Sequence, residues 1–265
     1  MNNNLESNPL ISVIICVYNA DNFIVDALNS IDTQTENDFE LIIVDDGSTD
    51  SSLKLIEEFI LNKKYRIKII KQENKGLTAS LNTAMGLAKG KYIARMDADD
   101  ISLPSRFKDS RKFLEDNNLD FISTQAERFI GNIEYNKVPR KRRDSTDINL
   151  KSLKYGNPFV HGTYFFKREI FDYMQYNEVY RTAQDYDFIV RLCKSGRYKV
   201  GYLNKSLYRL RIDENSSGRS INSSQLYNAR KIAIEHFGTD RLLIPKYNGF
   251  RRLAISIWKR LAYEW

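Results

Sequence analysis

KYIARMDADD, residues 91–100, is a short apolar run that delivers three carboxylates, Asp97, Asp99 and Asp100, at its carboxyl end. Side chains two apart on extended backbone point the same way, so Asp97 and Asp99 share a face. Neighbouring carboxylates repel one another, and a fold that fixes them in a cleft brings a cation or hydrogen-bond donors to hold them. The spacing suits a hard divalent ion. Taken alone, the stretch also reads as an acidic surface turn, since Asp is a common turn residue.

Working outward, three further strand–helix units precede it. ISVIICV (11–17) and FELIIV (39–44) are continuous apolar runs of the kind buried on both faces of a parallel sheet, and residues 66–70 read as a third strand. Each is followed by a polar turn: YNAD, DDGSTD and the ENKG segment. Helical spacing then appears in Phe23, Ala27, Leu28 and Ile31, and in Leu53, Leu55, Ile56, Phe59 and Ile60, where Asp50 or Ser48 suits a helix cap. A third helix runs from Asn74-Lys75-Gly76 through Leu81, Asn82 and Met85 to Gly90. Four such units imply an α/β fold with a doubly wound, mostly parallel sheet whose carboxyl edge gathers the ligand groups.

Beyond Pro104 the pattern changes to α+β. The reading gives a helix with Phe107, Phe113 and Leu114, strands at 120–124 and 129–135, a basic loop KVPRKRR at 137–143, and a helix around 148–155. A run at 159–166 follows, then a helix opened by AQDYD (183–187) that ends at Gly196. Two short strands, 200–203 and 207–212, precede a helix at 221–237. The expected organisation is a tail (1–9), one domain (10–215) with halves at 10–103 and 104–215, and a helical extension (216–265).

Composition narrows the class. At 265 residues with 42% hydrophobic and 28% charged residues, the chain has ordinary globular values and can bury a substantial core. No apolar run approaches a membrane span and the polar start lacks signal-peptide character, so a cytoplasmic location is expected. Cys16 and Cys193 sit in apolar contexts and read as buried free thiols, and two histidines do not suggest a zinc site. The net charge of +7 favours anionic partners. No nucleic-acid-binding signature accompanies that charge, so nucleic acid is not the expected partner.

SVIICVYN, VDDGSTD, ENKGLTASLN, RMDADD and AQDYDF occur in that order, and together they resemble the motif series of family 2 glycosyltransferases with the GT-A fold. The resemblance covers residues 10 to 215, and an ordered set over that length is more specific than any one motif. It implies inverting transfer from a nucleotide-sugar donor, a UDP-hexose or UDP-N-acetylhexosamine, with a divalent Mn or Mg ion. The acceptor implied is a hydroxyl of a glycan or lipid-linked oligosaccharide in bacterial surface-polysaccharide synthesis.

Carried over by position, Asp46 matches the donor-base contact, with Tyr18 and Asn19 lining that pocket. Asp97 and Asp99 match the DxD pair, Asp97 toward the ribose and Asp99 toward the metal. Asp185 matches the catalytic base, with Asp187 its nearest rival. His161 in HGTYFF is a candidate for the donor phosphate, the acceptor or the metal. Many relatives carry Arg-Asn where this chain has Leu81-Asn82, which leaves Lys75 or Arg95 to supply positive charge, although Arg95 also suits pairing with a neighbouring carboxylate.

A nucleotide-sugar-binding protein without transfer activity and a metal-dependent nucleotidyltransferase are the alternatives. The first is disfavoured by the intact acidic set, and the second would not need Asp185. Finally, Phe250, Leu253, Ala254, Ile257, Trp258, Leu261, Ala262 and Trp265 form an apolar stripe with Arg251, Arg252, Lys259 and Arg260 off it. Residues 246–265 therefore read as an amphipathic helix, suited either to peripheral contact with an anionic membrane at the inner face of the plasma membrane or to the protein's own core.

Overall fold

The computed structural model describes residues 8–239 apart from 62, 132, 139–142, 155 and 213–222. The first half alternates as expected: β1 (Ile11–Val17), α1 (Ile24–Asp32), β2 (Phe39–Asp45), α2 (Ser52–Ile60), β3 (Arg66–Lys71), α3 (Leu77–Gly86) and β4 (Tyr92–Asp97). After these come β5 (Ile101–Ser102), α4 (Arg106–Asp116), β6 (Phe121–Ile130) and β7 (Ile133–Val138). The chain then forms β8 (Phe165–Lys167), α5 (Glu169–Tyr173), α6 (Gln184–Ser195), β9 (Val200–Arg211) and α7 (Ser223–Phe237).

The nine strands of the described residues belong to one sheet of order β3-β2-β1-β4-β8-β6-β9-β5, with β7 hairpinned onto β6. The four strands of the first half are parallel, whereas β8 joins β4 and β6 antiparallel. The second half thus extends the sheet of the first. Alternation of side chains along the buried strands makes two cores. Ile14, Ile42 and Ile93 face α3 and α6, while Val13, Ile15, Leu41 and Ile43 face α1, α2 and α4. Each fully buried aliphatic side chain contributes roughly 1.5–3 kcal/mol by its removal from water, so these layers fix which way every strand faces.

Register brings the polar turns together. Val17 pairs with Asp45, Asp45 with Lys71, and Cys16 with Asp97, so the turns after β1, β2 and β4 leave the sheet at one edge. The opposite edge is locked by buried Glu40, which accepts hydrogen bonds from the Ser12 hydroxyl and the Lys89 N–H, both at 2.7 Å. A side chain at Gly90 would meet the Ser12 backbone nitrogen at 2.5 Å, so that turn needs glycine.

Three expectations are corrected in the second half. The strands expected at 200–203 and 207–212 are one strand, β9, because its pairing with β6 jumps from Thr124↔Leu203 to Gln125↔Ser206. Asn204 and Lys205 bulge out there, with the Asn204 N–H on Asp144 and the Lys205 ammonium on Asp109, and their polarity imitates a turn. The helix expected around 148–155 is a single 3₁₀ turn, Leu150–Leu153, opened by the Asn149 side chain accepting from the Lys151 N–H. The strand expected at 129–135 is interrupted at Gly131, whose φ of +54° turns β6 into β7.

Cys16 and Cys193 are free thiols, and burial pushes both up to about 12. No described helix is long and apolar enough to cross a membrane. The amphipathic segment expected at 246–265 and residues 139–142 of the basic loop lie outside the described residues.

Candidate active site

One wall of the site is the carboxyl edge of β1, β2 and β4. In the first turn, Asn19 takes a left-handed φ of +49°, which Asn tolerates better than most residues. Its side-chain oxygen accepts the Thr49 N–H at 2.8 Å, and its own N–H reaches the Ser48 hydroxyl at 3.1 Å. Asn19 thus fastens the first turn to the DGST turn and leaves the Tyr18 ring 53% exposed beside it.

Buried Asp46 accepts the Lys75 and Gly76 N–H groups at 2.9 and 2.8 Å and the Gln72 amide at 2.7 Å. That carboxylate therefore shapes the ENKG turn. Gly47, at φ +78°, lies so close to it that an added Cβ would sit 2.9 Å from the Asn74 nitrogen. The exposed Lys75 side chain lines a small cleft of about 110 Å³ with Thr78, Glu178 and Arg181 at the start of α3. Leu81 is buried in the core, and Asn82 ties α3 to the segment before α6 through Tyr176 N–H and C=O contacts, each at 3.0 Å.

The three carboxylates after β4 take different partners. Arg95 is buried and forms a two-pronged ion pair with Asp97, the neighbour two along on the same face. Burial pulls the guanidinium down, but Asp97, Tyr208 and Tyr176 together outweigh it and hold the charge more firmly than usual. Arg95 is therefore committed to Asp97. Asp100, fully buried, accepts the Arg211 N–H at 2.8 Å. The Arg211 guanidinium in turn donates to the Asp99 carbonyl at 2.8 Å and to the Asp26 carboxylate at 2.9 Å. Asp99 itself is half-buried.

Two buried residues support this edge from below. The Tyr208 hydroxyl accepts the Asp97 N–H at 3.0 Å and lies where any side chain at Gly162 would collide with it. Arg106 donates to the carbonyls of Arg95 at 2.5 Å and Gly162 at 2.9 Å, so one guanidinium joins β4 to the His161 turn. Burial pushes Arg106 down to about 10.

The second wall is the stretch from residue 157 to α6. His161 shares a 2.8 Å hydrogen bond with the Tyr176 hydroxyl, and burial, reinforced by Arg95, holds its ring neutral well below the ordinary histidine range. Asp185 enters the first turn of α6 after Ala183, which adopts a strained φ of +58°. Burial pushes the Asp185 carboxyl up, against the opposing pull of the Asn157 amide, the Tyr186 N–H and Arg95. Asp187, the rival, is buried and paired with Arg191 at 2.7 Å. Arg95 thus acts electrostatically on Asp97, His161 and Asp185 together, which places the two walls around one centre.

Among the described residues no cluster of three or more His, Cys, Asp and Glu is arranged to hold a metal. An Mg-type ion does not require one, because it is commonly held by one or two carboxylates together with substrate phosphates. Asp97 gives both oxygens to Arg95 and Asp100 is fully buried against β9, whereas Asp99 is half-buried at the edge of the turn, where a carboxylate can meet an ion held by substrate phosphates. A neutral His161 is in the form that ligates, with one ring nitrogen already oriented by Tyr176. Sequence reasoning missed Tyr176, Tyr208, Arg106, Arg211 and Asn157; of these only Asn157, in the Asn-Pro step four residues before His161, carried a local signal.

The Glycosyl transferase family 2 model matches residues 12–174, the span from β1 to just beyond α5. The chain belongs to glycosyltransferase family 2. A Haemophilus influenzae protein described as an uncharacterized glycosyltransferase is 33% identical over 248 residues, which cover 88% of this chain and 74% of that one. Chondroitin synthase of Escherichia coli is 31% identical over 257 residues, covering 92% of this chain and 34% of that larger protein. The glycosyltransferase also superposes on S. aureus TarS 1-349 in complex with UDP-GlcNAc with a TM-score of 0.70 at 20% identity, over 95% of this chain and 72% of that TarS fragment, which establishes the shared fold. The GT-A architecture expected from the motifs is the one observed.

Proposed function

We propose that this glycosyltransferase transfers a sugar from a UDP-hexose or UDP-N-acetylhexosamine, with inversion and a divalent cation, to a hydroxyl of a glycan or lipid-linked oligosaccharide in polysaccharide synthesis. The observation that carries the reading is Asp185: a half-buried carboxylate with an elevated proton affinity, on the wall opposite the DxD turn, with its rival Asp187 sequestered by Arg191. UDP-GlcNAc bound to TarS and the relation to a synthase named for a polysaccharide support the donor and product class.

The acceptor oxygen attacks the anomeric carbon as the bond from that carbon to the diphosphate oxygen breaks, and a single in-line displacement inverts the configuration. Asp185 accepts the hydroxyl proton during the attack, the work of a general base. Tyr18, Asn19 and the turn shaped by Asp46 border the nucleoside, Asp97 borders the ribose, and Lys75 faces the phosphates. Asp99, with His161, would hold Mn or Mg, which when bound offsets negative charge on the leaving diphosphate. Arg95, for which the sequence left open a donor contact or pairing with a neighbouring carboxylate, is paired with Asp97 and acts on the donor through it.

Nucleoside diphosphate release from a panel of nucleotide sugars, with Mn or Mg and with chelator, tests donor and cation together. Release from none of them overturns the reading in favour of a binding protein, and pyrophosphate as product favours a nucleotidyltransferase. The sequence of residues 246–265 further supports reversible attachment to the cytoplasmic leaflet, since each basic residue near an anionic surface contributes roughly 1 kcal/mol. Co-sedimentation with anionic liposomes, comparing the full chain with one ending at Pro245, checks this; equal binding by both assigns the segment to the core.

A further inference from the structure

The mechanism leaves one half-buried polar side chain of the second wall without a role. Asn157 lies 28 residues before Asp185 and donates from Nδ2 to its carboxylate at 2.7 Å and to the Tyr164 hydroxyl at 3.0 Å. Its other end is fixed as well, because Oδ1 accepts the Phe159 N–H at 3.0 Å. That third bond decides which way round the amide sits: the oxygen must meet an N–H donor, so the NH₂ group must face Asp185 and Tyr164. Each amide hydrogen then has one acceptor. The Tyr164 hydroxyl, for its part, donates to the Asp185 carbonyl at 3.4 Å, so the three residues close into a ring about the start of α6.

We propose that Asn157 is the positioning residue of the proposed base: its amide, held by Phe159 and Tyr164, aims one Asp185 oxygen and favours the ionised carboxylate, leaving the other oxygen for the acceptor hydroxyl. The role rests on the reading of Asp185 as base. It is a physical necessity of that reading that something oppose burial. A carboxylate surrounded by protein loses hydration, and a donor hydrogen bond to the charged form is the local means of keeping it able to take a proton at neutral pH. The charged and titratable groups facing Asp185 are Arg95 from β4, Tyr164 from the stretch before β8, and Tyr176 from the segment before α6. Burial raises both tyrosines well beyond neutral pH, so neither changes charge in the range where Asp185 works. Among the described residues only Arg95 and Asn157 stabilise the anion from other segments, and the two terminal nitrogens of Arg95 are engaged by Asp97.

The test reads the carboxyl itself and needs no acceptor. The protein is labelled with carbon-13 at the aspartate carboxyls, the Asp185 signal is assigned by its absence in Asp185→Asn, and its titration is followed in the native chain, in Asn157→Leu and in Asn157→Asp. Leucine keeps the volume and removes the donor. Aspartate keeps an acceptor for the Phe159 N–H but sets a second carboxyl against the first. The expected result is a midpoint that moves to higher pH in both variants, further in Asn157→Asp, with the acidic limb of kcat following it while KM for the nucleotide sugar stays unchanged. An unmoved or lowered midpoint in a folded variant overturns the proposal, and failure of both variants to fold overturns it in favour of a purely structural asparagine. The base assignment fails separately: full turnover by Asp185→Asn alongside the shifted midpoint rejects the base and keeps the hydrogen-bond role.

Discussion

The two walls of the site handle carboxylates in opposite ways. On the donor wall, Asp46 receives three N–H donors, Asp97 a two-pronged guanidinium, and Asp100 the backbone of a strand more than a hundred residues away. On the acceptor wall, Asp185 receives the Asn157 amide and backbone N–H groups at the start of α6, yet burial still raises its proton affinity. The contrast follows from the work each wall does. A donor site must present fixed geometry to a phosphate, a cation and a base, whereas a general base must exchange a proton, which requires an affinity near the operating pH.

The sharpest break of this comparison is Asp99→Ala. If the donor wall is a fixed frame in which Asp99 holds the cation, cation-dependent release of nucleoside diphosphate is abolished while the circular dichroism spectrum is unchanged. Asp185→Asn comes next, with turnover lowered by roughly 10²-fold or more, the scale of general-base loss, and donor binding retained. The pH dependence has a definite sign. Asp185 must be ionised to accept a proton and its affinity is raised in the fold, so turnover falls as pH drops through a midpoint above the ordinary aspartate value of about 3.9. Because the folded value exceeds the unfolded one, ionising Asp185 costs stability above that window, and Asp185→Asn is expected to unfold at higher temperature than the native chain at neutral pH. A lower melting temperature in a folded variant would count against the burial argument.

A smaller effect tests how the frame is held. Arg211→Leu deletes the contacts to the Asp99 carbonyl and to Asp26 but keeps the backbone bond to Asp100. Outer partners of a metal ligand are commonly worth 10- to 100-fold in metal affinity, so half-maximal activity should need about tenfold more Mn or Mg, with kcat recovered at saturation. An unchanged cation requirement would mean that the turn after β4 is rigid without its clamp.

The same division governs what the sequence reveals. β1, β2 and β4 are buried on both faces, and that demand writes itself as unbroken apolar runs, so these strands and the carboxyl edge that gathers their turns are readable, while the order of the strands comes from the structure. The second half is built from short or irregular pieces. β9 hides a two-residue bulge behind Asn204 and Lys205, and the turn at Leu150–Leu153 has helical spacing but only one turn's length. In the site, Asp97, Asp99 and Asp185 stand in motifs, and their types follow from the chemistry. Their partners do not: Arg106, Tyr208, Arg211 and Asn157 reach across 11 to 112 residues, and no local pattern encodes a contact that the sheet register creates.

The smallest expected effect on turnover draws the same distinction, between a pinned and an exchangeable carboxylate, within a single helix turn. Asp185 and Asp187 are two residues apart at the start of α6, and burial raises both carboxyls. A raised affinity alone therefore cannot mark the base. What differs is the partner: Asp187 holds Arg191 at 2.7 Å, with the same guanidinium donating to the Gln175 carbonyl at 2.9 Å, so its charge is engaged in joining α6 to the segment before it. Asn at this position keeps the shape and an oxygen for Arg191 while removing the charge. Removing one partner leaves the partly exposed Arg191 charge without its carboxylate, which outweighs the relief of desolvation, so the variant should lose stability, by up to roughly 3–5 kcal/mol, the scale for breaking a buried pair. With Asn157, Tyr164 and Asp185 untouched, turnover of Asp187→Asn should remain within about threefold of the native enzyme, against the two orders of magnitude or more expected for loss of a general base at Asp185. The measurement is kcat for both variants at one pH, with melting temperatures beside it. Comparable losses would show that α6 acts on the reaction as a unit through its placement, and the distinction between a pinned and an exchangeable carboxylate would fail at the point where it is most finely drawn.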